Sequence, residues 1–178
     1  FIGLKAYPLN SLFAMMNLLG SHDTWRINEI AQDNLPGLKL AVFFQMTYIG
    51  TPHIYYGDEI GLRGSKDPDN RRPFDWHWYN SLQAVDLHDF YQELIALRKS
   101  QALLQIGLIR FLPHPELLIF ERFDDTSRLQ IIINKTDRNI EYQPASDLDS
   151  LLWKLPEVTY DQDSRLLTLP PFSAAIIL

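Results

Sequence analysis

Two pairs of residues in this sequence are of types and spacings that could do chemistry. His22-Asp23 closes the run Asn17-Leu18-Leu19-Gly20-Ser21. An imidazole carries a donor and an acceptor, and an ionised carboxylate carries acceptors only. Asp67 and Arg71 stand four residues apart. Together they offer acceptors and a planar fork of donors, a set that suits neighbouring hydroxyl groups. With no ligand the same two residues would simply pair at the surface, for little stability. A His-Asp pair is equally at home on an ordinary surface. His88-Asp89, inside an amphipathic pattern, reads that way.

Placement separates these readings, so the elements around each pair matter. Pro8 through Met16 reads as a helix, with Leu9, Leu12, Phe13 and Met16 at helical spacing. Asn17-Leu18-Leu19 then reads as a short buried strand closed by Gly20-Ser21. Asp23 therefore falls at the strand's C-terminal end, where parallel α/β barrels build their active sites. Pro36 suits the start of a second helix, with Leu38, Val42, Gln45 and Ile49 on one face. Gly50-Thr51-Pro52 stops it, and Ile54-Tyr55-Tyr56 follows as a second apolar strand.

A loop rich in Gly, Pro, Asp and Arg runs from about Asp58 to Tyr79, a length that is usually functional or disordered. Trp76 and Trp78 in it could stack on a ring-shaped ligand or pack in the core or at the rim. Asp86 reads as the N-cap of a third helix, whose Arg98-Lys99 suits the negative end of a helix dipole. Alternating helices and buried strands indicate parallel α/β structure. Beyond it the pattern changes to short strands at 108–112, 117–123, 129–134, 139–142, 151–155, 166–169 and 174–178, separated by polar turns. That grammar indicates an antiparallel β-sandwich. The expected domains are residues 1–102 and 103–178.

Composition narrows the partners. Hydrophobic residues make up 46% and charged residues 21% of the 178, an ordinary globular balance. The net charge of −6, with basic runs no longer than pairs such as Arg71-Arg72, argues against nucleic acid and anionic membrane. No apolar run approaches the ~18 residues of a membrane span. With no cysteine there is no disulfide framework, and a cytoplasmic location is expected. The chain begins at Phe1 with no start-like segment, so it is expected to be a piece of a longer polypeptide. Asn134-Lys135-Thr136 matches a glycosylation acceptor, a pattern short enough to arise by chance.

Two segments together carry a family resemblance. Asn17-Leu-Leu-Gly-Ser-His22-Asp23 and, one helix later, Gly50-Thr-Pro-His-Ile-Tyr-Tyr-Gly-Asp-Glu-Ile-Gly61 resemble the strand 7 and strand 8 signatures of the α-amylase family of glycoside hydrolases (family 13). Asp67-Pro-Asp-Asn-Arg71-Arg-Pro-Phe-Asp-Trp76 resembles the following loop in neopullulanases, cyclomaltodextrinases and related α-glucosidases. Leu169-Pro-Pro-Phe-Ser-Ala-Ala is similar to the last strand of the family's C-terminal β-domain.

The resemblance implies a fold: the C-terminal part of a (β/α)8 TIM barrel, strands 7 and 8 with their helices, followed by the β-sandwich. It also implies roles. Retaining glycosidases place a nucleophilic carboxylate and an acid on either side of the bond, with an oxocarbenium-like transition state between. Asp23 would be the family's third carboxylate, which stabilises that transition state. His22 would bind the same sugar, and Asp67 and Arg71 the sugar one step further along. The nucleophile should come from a G-x-R-x-D segment at strand 4 and the acid from a Glu at strand 5, and neither is in this sequence. Gly61-Leu-Arg63-Gly-Ser65 begins like the former but has Ser at the required Asp.

The implied substrates are maltooligosaccharides, cyclodextrins or pullulan, with neither metal nor cofactor. The alternatives are a transglycosylase, an oligosaccharide α-glucosidase, or a non-catalytic relative acting in binding or transport. The exposed barrel edges are expected to be covered by a second copy or by the missing N-terminal part of the barrel, and the chain alone is expected to be inactive.

Overall fold

The computed structural model describes residues 7–144 and 150–178. It divides into two compact units between Gln105 and Ile106, within a short helix just past the expected boundary at 102.

In the first unit, α1 (Leu9–Ala14) leads into β1 (Met16–Leu18). A single turn, α2 (Ile27–Ala31), and the longer α3 (Leu35–Thr47) then return the chain to β2 (Thr51–His53). The two strands pair in parallel, Met16 opposite Thr51 and Leu18 opposite His53. This is the expected strand–helix–strand unit, but the second strand lies earlier than Ile54–Tyr56. Tyr55 already turns the chain, its carbonyl accepting from the Asp58 N–H at 3.0 Å. The aromatic run looks strand-like because its rings are needed elsewhere, as described below.

Pro36 stands one residue inside α3, and Asn34 caps the helix by accepting from the Gly37 N–H at 3.0 Å. Leu38, Val42, Phe43 and Met46 are buried on it, each contributing about 1.5–3 kcal/mol by leaving water. Gln45, also buried, donates from Nε2 to Asn17 O at 2.9 Å and His53 O at 2.8 Å. One helix side chain thus joins the two strands. Gly50 has φ +103°, and a Cβ there would stand 2.7 Å from the Met15 carbonyl, so no other residue fits easily.

Three 3₁₀ turns, Asp58–Ile60, Asp69–Arg71 and Trp78–Asn80, organise the long loop. Helix α4 runs from Leu82 to Ser100 and buries Leu87, Phe90, Tyr91 and Leu94. Its N-cap is Ser81, whose side chain accepts from the Ala84 N–H, and Asp86 sits a turn inside. Asp86 instead pairs with Lys39 of α3 at 2.8 Å. Arg98 also differs from expectation. It donates to Met46 O at 2.7 Å, Tyr48 O at 3.2 Å and Gly50 O at 2.6 Å, so it closes the C-terminus of α3 rather than of its own helix. Helix α5 (Ala102–Ile106) ends this part of the chain.

The second unit is antiparallel throughout its described strands. One sheet orders β3 (Leu108–Leu112), β4 (Leu118–Phe123), β5 (Arg128–Asn134), β10 (Ser173–Ile177) and β7 (Leu151–Lys154). The other orders β6 (Ile140–Tyr142), β9 (Leu166–Leu169) and β8 (Thr159–Asp161). Strand β8 has no counterpart in the sequence reading, being short and polar. The sheets meet through Tyr142 Oη, which donates to Gln130 Oε1 at 2.9 Å. The core holds Phe120, Leu129, Ile131, Leu167 and Ile176, all fully buried.

Asn134 is fully buried too. Its amide donates to Arg138 O, Leu169 O and Pro170 O at 2.8–2.9 Å, while its Oδ1 accepts from the Thr136 N–H and hydroxyl. Every polar atom of that side chain is engaged inside the fold, so it is closed to glycosylation.

Candidate active site

The turn after β1 is built by short polar side chains. Ser21 N–H donates to Thr24 Oγ1 at 3.0 Å, and Asp23 N–H donates to Ser21 Oγ at 3.1 Å. These bonds hold residues 21–24 in a tight loop. His22 and Asp23 project from it, with His22 Nε2 3.2 Å from Asp23 Oδ2.

The second pair arrives from the long loop. Arg71 Nε lies 2.8 Å from Asp67 Oδ1, and Arg71 Nη2 lies 3.9 Å from Asp23 Oδ1. Arg71 Nε also donates to His22 O at 3.3 Å. All four residues singled out in the sequence therefore meet at one place, although 44 positions separate Asp23 from Asp67 (67 − 23). Their side chains are open to solvent, 63% for His22, 73% for Asp23, 54% for Asp67 and 48% for Arg71. The Asp67–Arg71 pair expected of a bland surface is thus real, and it also stands beside Asp23.

Beneath this open cluster lies a buried one that the sequence did not reveal. Arg26 is fully buried. Its guanidinium stacks 4.1 Å from the Tyr55 ring centre and 4.5 Å from that of Tyr56. It donates to Tyr56 O and to Asp58 Oδ1, and its Nε donates to Asn70 O at 2.8 Å. Burial pushes the Asp58 carboxyl up to about 6, with Arg26 pulling the other way. Gly20 leaves room here, because a Cβ would force the Asp58 carboxylate to shift from Arg26.

Asn70, also fully buried, points its amide under the His22–Asp23 turn. Arg72 pairs with Asp69 at 2.7 Å. That pairing and the Ser65 N–H hold the Asp69 carboxyl down to about 2. The available signal for Arg26 and Asn70 was positional only: one follows Asp23 by three residues and the other sits between Asp69 and Arg71.

An exposed carboxylate, an imidazole and a guanidinium at one rim present the donors and acceptors that neighbouring hydroxyl groups use, together with a fixed anion.

Comparison with known proteins places this geometry in a family. Residues 9–84 match the family described as alpha amylase, catalytic domain. This part of the chain belongs to the α-amylase family. Within it, the chain is 40% identical over 134 residues to a cyclomaltodextrinase of Bacillus sp, covering 74% of this chain and 24% of that protein. It is 49% identical over 104 residues to neopullulanase 2 of Thermoactinomyces vulgaris, covering 58% and 17%. Among solved structures it superposes on the native Nostoc punctiforme debranching enzyme with a TM-score of 0.84 at 30% identity, over 99% of this chain and 38% of that one. The chain thus spans a quarter or less of the length of these two curated relatives.

Proposed function

We propose that this chain is the C-terminal part of a retaining glycoside hydrolase acting on α-glucosidic bonds of maltooligosaccharides, cyclodextrins or pullulan. In this reading β1 and β2 are strands 7 and 8 of a (β/α)8 barrel, and the two antiparallel sheets form the β-sandwich that follows it. The observation that carries the reading is the meeting of His22, Asp23, Asp67 and Arg71 beside the ends of two parallel strands.

Asp23 stabilises the oxocarbenium-like transition state, because a fixed anion gains most when the sugar ring becomes cationic. His22 donates to a hydroxyl of the same sugar. Asp67 and Arg71 clasp the next sugar, the carboxylate accepting from one hydroxyl and the guanidinium donating to its neighbour. The nucleophile and the acid belong to the remainder of the barrel. That remainder, or a second copy, covers the open face of β1, where Met16 is 58% and Leu18 41% exposed.

The anomer released first tests the reading. The enzyme containing this chain should hydrolyse a maltooligosaccharide to the α-anomer, seen by proton NMR before mutarotation. The isolated 178 residues should release nothing. Initial release of the β-anomer, or no hydrolysis by the complete enzyme, contradicts the proposal. In the second case a binding role, seen as retained maltooligosaccharide affinity, replaces it.

A further inference from the structure

We propose that Asn70 is a positioning residue for the reaction, setting the place of Asp23 through the backbone of the turn that carries it. The inference rests on the reading of Asp23 given above.

A single amide nitrogen faces the inside of this turn. Asn70 Nδ2 lies 2.8 Å from His22 O, 2.8 Å from Thr24 O and 3.3 Å from Ser21 O. These three carbonyls bracket Asp23 on both sides. Carbonyl oxygens that converge on one point repel each other unless a donor lies between them, and the two protons of Nδ2 supply it. No other side chain among the described residues donates to the Ser21 and Thr24 carbonyls. Asn70 is fully buried, so water cannot readily replace it.

Asn70 is itself held from behind. Its backbone carbonyl accepts from Arg26 Nε at 2.8 Å, and the Arg26 N–H donates to Gly64 O at 2.9 Å. Gly64 admits this close approach, since a Cβ there would lie 2.5 Å from Asp69 O and 2.7 Å from Asn70 Cα. The next residue on the same 3₁₀ turn is Arg71, which faces Asp67 and Asp23. One three-residue turn therefore sends Arg71 outward toward ligand and Asn70 inward beneath Asp23. The separation of Asp23 from Arg71 depends on it. Because Asn70 touches no solvent, it acts on the substrate only through the residues its turn and its hydrogen bonds place, Asp23 and His22 first and Arg71 beside them.

A double-mutant cycle in the complete enzyme tests this, using steady-state hydrolysis of a maltooligosaccharide. Asn70→Ala should lower kcat by about 10²-fold, the scale expected when a reacting group is misplaced by about 1 Å. KM should change much less. Asn70→Asp, which keeps the shape but replaces donor by acceptor, should be at least as damaging. Asn70→Ser, which keeps one donor, should recover part of the loss, and it serves the test if the Ala variant fails to fold.

The decisive comparison is in the Asp23→Asn background. There, adding Asn70→Ser should cost less than about threefold, because the group being positioned no longer acts. If the two losses multiply independently, or if the Asn70 variants keep the wild-type kcat while Asp23→Asn is impaired, the positioning role is wrong and the reading of Asp23 stands. A normal kcat in Asp23→Asn alone would overturn the reading of Asp23 and this inference with it.

Discussion

Asn70 in the first unit and Asn134 in the second perform the same backbone task. Each is fully buried, and each offers one amide nitrogen to three backbone carbonyls. The difference lies in what surrounds them. Around Asn134 the account closes: its Oδ1 is satisfied by Thr136, and its own strand pairs on both sides within an antiparallel sheet. Around Asn70 it stays open. Its Oδ1 has no partner among the described residues, and the turn it supports presents exposed charged side chains. The first case is what a self-sufficient domain does with a buried polar group. The second is the pattern the proposed site needs, charged side chains left exposed above a buried donor.

The largest effect that could break this contrast concerns folding. Residues 106–178, whose described residues form eight strands in two sheets, should fold alone and melt cooperatively. Residues 1–105 should not, because their described strands form a single parallel pair with apolar residues exposed on β1. Circular dichroism melts of the two pieces check this, and a cooperative transition in the first piece would remove the distinction.

Next in size is Asn134→Ala. It strips three backbone carbonyls of their donor, that of Leu169 in a buried bond, and should cost the second unit about 1–3 kcal/mol in denaturant unfolding, without altering kcat of the complete enzyme. A loss of kcat would mean that Asn134 is not merely structural.

Smaller again is the effect of Asp67→Ala or Arg71→Ala. Either should lower kcat/KM on long maltooligosaccharides by roughly tenfold, on the scale of one charge-assisted hydrogen bond. Short aryl glucosides, which leave that subsite empty, should be nearly unaffected. Equal losses on both substrates would reduce the pair to a surface ion pair.

The smallest effect is in pH. The Asp69 carboxyl titrates lower in the folded chain, at about 2, than in an unfolded one. Its contribution to stability is therefore full above about pH 4 and fades as pH falls toward 2. Asp69→Asn should flatten the acid side of the stability curve in that window and leave neutral pH nearly unchanged.

These expectations also mark what was readable in advance. His22, Asp23, Asp67 and Arg71 were legible because each lies in a local motif next to a strand end or turn, and local order is written in residue spacing. Most strands of the second unit were legible from apolar runs cut by polar turns. Tyr55-Tyr56 misled because aromatic residues favour strands in general, whereas here they stack on Arg26. Asp86 misled because Ser81, an equally good cap, stands earlier. Arg98, Arg26 and Asn70 were illegible for a common reason. The partners of their side-chain hydrogen bonds lie 30 to 52 positions away, and no periodicity records a contact of that range.

The most direct test of the account is the kcat of Asp23→Asn in the complete enzyme. The substitution preserves shape and removes one negative charge at the point where the sugar ring becomes cationic. Steady-state kinetics on a maltooligosaccharide should show kcat lowered by at least about 10²–10³-fold, the range for removing one group aimed at developing charge, with KM changed far less. A kcat equal to that of the unsubstituted enzyme would contradict the assignment of Asp23 and, with it, the active site built around it.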